Sequence, residues 1–194
     1  MRITHRPLLA GALLFLLATG AAEGQQRGEG ESNEEAFLRA VGEHFGTPHR
    51  EILVLAQWRL PAGEIPVVLC LASGAGVSPD VVVAQRRRGG NWMEIARGYS
   101  VNAGDFHVPI DGPTGFLRGA YERFGAKPAS EWRDLLLSDD EVVGLVNVRF
   151  LSRSLGLPPG RVLSALGDGG DIVAVFRQLK GAGGGAGTAA GRGC

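Results

Sequence analysis

The sequence predicts an all-α fold: a compact, pseudo-symmetric domain built from two related halves of short helices, behind a signal peptide and ahead of a disordered glycine-rich tail. Three observations predict it. Apolar residues recur at i, i+3, i+4 and i+7 through most of the chain, which is the stripe that one helix face buries. Cap residues, glycines and prolines mark starts and stops at short intervals. Finally, Gly76 to Tyr99, GVSPDVVVAQRRRGGNWMEIARGY, returns without a gap as Gly156 to Leu179, GLPPGRVLSALGDGGDIVAVFRQL. In that alignment Leu71 matches Leu151, Pro79 matches Pro159, and Val82 and Val83 match Val162 and Leu163. Trp92, Ile95, Ala96 and Tyr99 match Ile172, Val175, Phe176 and Leu179, again at i, i+3, i+4 and i+7. Apolar spacing and backbone-shaping residues persist between the copies, while charge does not: Arg86, Arg87 and Arg88 face Leu166, Gly167 and Asp168.

Taken in order, the chain opens with Arg2, His5 and Arg6 ahead of the apolar run Pro7 to Ala18, followed by small residues at Thr19, Gly20, Ala21 and Ala22. A basic start, an apolar centre and a small-residue end form the pattern of a secretory signal peptide over residues 1–22, cut after Ala21 or Ala22. The run is short of the roughly 20 residues that a permanent span requires, so no membrane span is expected after cleavage. Residues 23–31 are polar and glycine-rich and read as a disordered spacer.

Residues 32–180 read as the helical domain, with halves at about 32–99 and 114–180. Ser32 and Glu35 form a capping box, and Phe37, Leu38, Val41 and Phe45 line one face of a helix ended by Gly46. Thr47 and Pro48 open a second helix with Ile52, Leu53 and Ala56 on its buried face, ended by Leu60 and Pro61. Glu64 to Ala75 is apolar almost all round, which makes it the central helix of the first half. Ser78 with Pro79 starts a fourth helix and Asn91 a fifth.

Ser100 to Pro113 interrupts the period; there Phe106, Val108 and Ile110 alternate with His107 and Pro109, so a short extended segment is expected. Phe116, Leu117, Tyr121 and Phe124 resume the helical spacing up to Gly125, and Pro128 and Ser130 introduce a helix carrying Trp132, Leu135 and Leu136. Ser138 and Glu141 cap the helix over Val142 to Leu155, and the second copy of the repeat closes the domain. Residues 181–194, mostly glycine and alanine, read as a disordered tail.

Composition excludes more than it assigns. Of 194 residues 44% are hydrophobic, enough for one ordinary core. The 20 basic and 20 acidic side chains balance, so no overall charge draws the chain to nucleic acid or an anionic membrane. Without Arg2, Arg6, Arg27, Arg192, Glu23 and Glu29 the helical domain is slightly acidic, which argues against phosphate binding. Two cysteines make no disulfide framework: Cys70, in VVLCLA, reads as a small buried hydrophobe, and Cys194 ends the tail. A bond between them requires the tail to reach the core.

Each candidate for chemistry has a plainer reading beside it. LASGAGVSPDVVVAQ resembles a helix-turn-helix, and Arg86, Arg87 and Arg88 follow where phosphate contacts would lie. An exported chain whose second copy lacks those arginines has little use for DNA, so they read as a solvated face or a local interaction face for an anionic contact. His44 and His49 straddle a helix break and lack the i, i+4 spacing of a zinc helix, and His107 is remote in sequence, so no metal is expected. Asp139, Asp140 and Glu141 form a carboxylate cluster whose place at a helix start is explained by the helix dipole. The glycine-rich tail has no strand before it and no lysine of a phosphate loop, and no serine has nucleophile surroundings. No catalytic residue and no cofactor is therefore expected.

Between Leu60 and Ile110, the step GGNWMEIA and the later FHVPI are similar to exported all-helical bacterial proteins of no assigned activity. The resemblance implies a helical fold and export, and it transfers no functional residue. The resulting expectation is a secreted or periplasmic, non-catalytic binding or structural module of the cell envelope whose partner is a protein or another envelope component. A helix-turn-helix DNA-binding protein, if the N-terminus is not an export signal, and an enzyme of unknown class are the alternatives.

Overall fold

Side-chain caps start five of the ten α-helices among the described residues of the computed structural model, which describes residues 31–167 and 170–183. The expected signal peptide, the spacer up to Gly30 and the tail from residue 184 onward lie outside the described residues, as do Asp168 and Gly169. Every element among the described residues is helical.

Helix α1 (Asn33–Phe45) begins at the Ser32–Glu35 capping box, in which the Ser32 amide donates to Glu35 at 2.8 Å and the Glu35 amide donates back at 3.1 Å. Gly46 ends it with φ 65, a left-handed conformation that glycine adopts without a Cβ penalty. Helix α2 (His49–Gln57) starts after Pro48 without a side-chain cap. Its buried residues are Ile52 and Leu55, whereas Leu53, expected inside, is 39% exposed. The apolar run ILVLA is too continuous for spacing alone to tell which residue faces inward.

A 3-10 turn at Ala62–Glu64 leads into α3 (Ile65–Ala75), where every residue from Ile65 to Ala72 is buried. Cys70 is among them and is disulfide-bonded, so the reading of this residue as a plain small hydrophobe is corrected; Cys194 lies outside the described residues. Helix α4 (Pro79–Arg87) carries Val82 and Val83 inward, and α5 (Trp92–Gly98) is capped by the reciprocal Asn91–Glu94 pair.

The expected extended segment is replaced by a helical turn. Asn102 and Asp105 form a capping box for α6 (Ala103–Phe106), and residues 107–113 run on without ladder pairing. Phe106 and Val108 are buried all the same, so their alternation reports burial and not a strand. A 3-10 turn at Gly115–Leu117 precedes α7 (Arg118–Gly125), which includes Gly125 and ends on Ala126 in the right-handed region. Gly125 is thus not the left-handed terminator that its resemblance to Gly46 suggests.

The helix expected around Trp132 is a 3-10 stretch, Ala129–Asp134, after which the chain is extended. There Leu135 and Leu137 point inward and Leu136 is 62% exposed, which corrects its assignment to a buried face. Helix α8 (Asp139–Leu155) follows from the Ser138–Glu141 capping box and ends at Gly156, φ 64. Helices α9 (Pro159–Leu166) and α10 (Ile172–Gly181) complete the chain.

Two helices organise the rest. Helix α3 packs against α1, α4 and α8, while α8 packs against α1, α3, α5, α9 and α10. Helix α3 is buried on most sides, as a helix without a polar face requires, while α8 buries its apolar residues and leaves Asp140 and Arg153 exposed. Trp92 and Ile172, the first members of the repeated stripe, both lie in the core.

Candidate functional site

Along α8 the residues Asp140, Val143, Gly144 and Asn147 fall three or four apart and share one helix face. That face forms the floor of a groove with a cavity volume of about 720 Å³, within the range of small-molecule sites. Pro61, Ala62 and Gly63 make one wall, Phe116 stands opposite the bare backbone of Gly144, and Leu166, Gly170, Asp171 and Ile172 close the remaining side. The local sequence explains the closeness of these walls. A Cβ on Gly63 would sit 3.2 Å from Asn147 Nδ2, and one on Gly144 would come within 2.6 Å of the Phe116 ring.

Asn147 is the unusual member. It is 4% exposed, one turn beyond Val143 and Gly144 on that face, and its Nδ2 donates to the Gly63 carbonyl at 3.0 Å. Its Oδ1 is buried and has no hydrogen-bond donor. A buried acceptor left unmet costs on the order of 1–3 kcal/mol, so this oxygen is a cost that the fold carries at the groove's edge.

The carboxylate cluster at the start of α8 divides its labour. Asp139 accepts the Trp92 amide at 2.7 Å and an Arg86 N–H. Glu141 accepts the Ser138 amide at 2.9 Å and pairs with Arg123. Asp140 has neither a hydrogen bond nor an ion pair among the described residues, and it lines the groove. On the other side Asp171 caps α10 by accepting the Val173 amide at 3.0 Å and has no cationic partner among the described residues.

The arginine face proposed from sequence splits in two. Arg86 turns inward: Nη2 reaches Glu64 at 2.6 Å, Nη1 reaches Asp139 and the Gly90 carbonyl, and the guanidinium carbon lies 4.6 Å from the centre of the Trp92 ring. Burial pushes its pKa down, and the hydrogen bonds to Glu64 and Asp139 outweigh that and raise it. Arg86 therefore ties the turn before α3 to the ends of α4 and α8. Arg87 and Arg88 remain exposed and make no such contacts among the described residues.

The histidines are distributed and not gathered. His44 is buried against Phe45 and Phe150, and desolvation, with Arg153 and Arg149 nearby, lowers its pKa to about 4. His107 packs among Tyr121, Phe124 and Trp132, where burial and Arg149 also lower its pKa. His49 is exposed. Among the described residues no group of three or more histidine, cysteine, aspartate or glutamate side chains could hold a metal.

Sequence reasoning missed Gly63, Asn147 and Asp171. One signal was there: Asn147 interrupts VVGLVNVRF at a position where the helical period calls for an apolar residue. The groove itself had no signal, because its walls come from segments far apart in the chain. No protein-family model, no curated protein and no solved structure matches this chain. No helix among the described residues is long and apolar enough to cross a membrane.

Proposed function

We propose that the protein is an exported, non-catalytic helical binding module of the cell envelope, with the groove along α8 as its ligand-binding face. The observation that carries the binding reading is the groove along α8 itself, with mainly apolar walls and with Asp140 and Asp171 in its lining, neither of which has a cationic partner among the described residues. Small-molecule sites combine those features: apolar lining for affinity and a few placed polar groups for orientation. Export rests on residues 1–22, whose basic, apolar and small-residue blocks follow in the order of a signal peptide. Two related halves are supported by Gly76 and Gly156, both left-handed at φ 66 and 64, and by the burial of Leu71 with Leu151 and of Val82 with Val162.

N-terminal sequencing of the native protein should find a chain starting at Ala22 or Glu23 in the envelope or medium; an intact Met1 in the cytoplasm would overturn the export part. For the groove, small neutral probes such as isopropanol and phenol should shift the amide resonances of Gly63, Gly144 and Asn147. Ala62→Trp, which plugs one wall, should abolish those shifts. Probes that leave these resonances still, or shift them equally in the plugged variant, would remove the groove as the binding face.

A further inference from the structure

We infer that Cys70 is cross-linked to Cys194, so that the last residue of the sequence is stapled back onto the central helix α3 and the segment after α10 becomes a closed loop. The sequence holds two cysteines, and Cys70 is disulfide-bonded in a structure of one chain, so its partner is Cys194. Two cysteines without a framework give way to one covalent closure. The reach it requires is available. Ile172, at the start of α10, comes within 3.9 Å of the Cβ position at Gly63. Cys70 is two helical turns beyond Gly63, about 10 Å away, and the end of α10 is about 15 Å from its start. Run in opposite directions, these leave a gap of about 25 Å, whereas the chain from Gly183 to Cys194 spans up to about 36 Å when extended. Its residues are glycine and alanine apart from Thr188, Arg192 and Cys194, so little bulk opposes a close path over the helices.

The bond forms by two exchanges. The Cys194 thiolate attacks one sulfur of an oxidised partner, a small-molecule or protein disulfide, whose other sulfur leaves as a thiolate. The Cys70 thiolate then attacks the Cys194 sulfur of the mixed disulfide and releases the second thiolate. Two electrons pass to the oxidant, and the two cysteine protons pass to solvent or to the released thiolates. Cys194 takes the first step because Cys70, 1% exposed within the core, leaves a bulky oxidant no room. Formation in the cell rests on the export reading, since the envelope and the medium are oxidising whereas the cytoplasm keeps thiols reduced. Once made, the bond closes a loop of about 120 residues that takes in every element from α4 to α10, and constraining so long a loop in the unfolded chain favours the folded one.

The test is mass spectrometry of the full mature chain, purified without reductant, alkylated in denaturant and then digested with trypsin. Residues 60–86 should appear joined to the dipeptide 193–194, from a protein that runs as a monomer on a non-reducing gel. Both cysteines alkylated, or a dimer joined through them, would overturn the inference. Cys194→Ser, which changes nothing in α3, should lower the melting midpoint by roughly 5–10 °C; reductant should bring the wild type to the same midpoint and leave the variant where it is. Equal midpoints for the oxidised wild type and the variant would overturn the stabilising closure. If the protein is found with Met1 in the cytoplasm, the export reading fails, and oxidation of that purified chain by glutathione disulfide decides the bond separately: the linked peptide supports it, and two persisting thiols overturn it.

Discussion

His44 shows what one burial event does to a titratable group. The unfolded chain takes up a proton near pH 6.5, while the folded chain resists protonation down to about pH 4 because the ring is desolvated beside Arg153 and Arg149. The unfolded state therefore binds more protons in that window, and stability falls as the pH drops from about 6.5 toward 4. Chemical denaturation at pH 7 and pH 4.5 should differ by about 2 kcal/mol from this group, and His44→Leu should flatten that part of the profile. His107, lowered in the same direction, adds to the slope in the wild type. Arg86 makes the complementary case. Arg86→Met strands Glu64 and Asp139, which are only 13% and 32% exposed as side chains, and should cost about 1–3 kcal/mol. Arg87→Met and Arg88→Met should stay within about 0.5 kcal/mol, and equilibrium unfolding separates the two outcomes. Three adjacent arginines look alike in sequence because nothing local says which of them has carboxylates waiting for it.

Between elements, close approach is set by glycines inside helices as much as by the apolar stripes. Gly42, in the last turns of α1, lets α2 come so near that an added Cβ would lie 2.9 Å from the Thr47 carbonyl and 3.2 Å from Ile52. An exposed helical glycine gains about 1 kcal/mol on becoming alanine, but here the backbone contact has nowhere to go. Gly42→Ala should therefore destabilise by about 1–3 kcal/mol, measured by thermal or chemical unfolding. Where starts are written in side chains, as at Ser32, Asn91 and Ser138, sequence and structure agree, because a capping box is satisfied within four residues. Trp132 to Leu137 is the opposite case. Its spacing suits a helix, yet Leu135 and Leu137 are drawn into the core from an extended chain while Trp132 bonds the Phe124 and Lys127 carbonyls, contacts that no local rule anticipates.

The domain holds together through α3 and α8, which pack on each other and share α1 as a neighbour. Helix α3 is covered in part by α8, so residues 23–113 expressed alone should lack a cooperative transition. The full domain should unfold in one step, with circular dichroism and tryptophan fluorescence superimposed. Separate transitions by the two probes would mean that α3 and α8 do not unfold together. At this scale the sequence by itself determined the helical class, most helix starts, most of the positions that fill the core and the glycine turn at Gly46, since periodicity and capping act over a few residues. Only the tertiary structure decided that Arg86 turns inward, that Leu53 and Leu136 face out, and that Pro61 to Gly63, Phe116 and the start of α10 meet over Asn147 to leave a groove. Those outcomes depend on which distant segments compete for the same space, and a contact made across eighty residues leaves no trace in the spacing on either side of it.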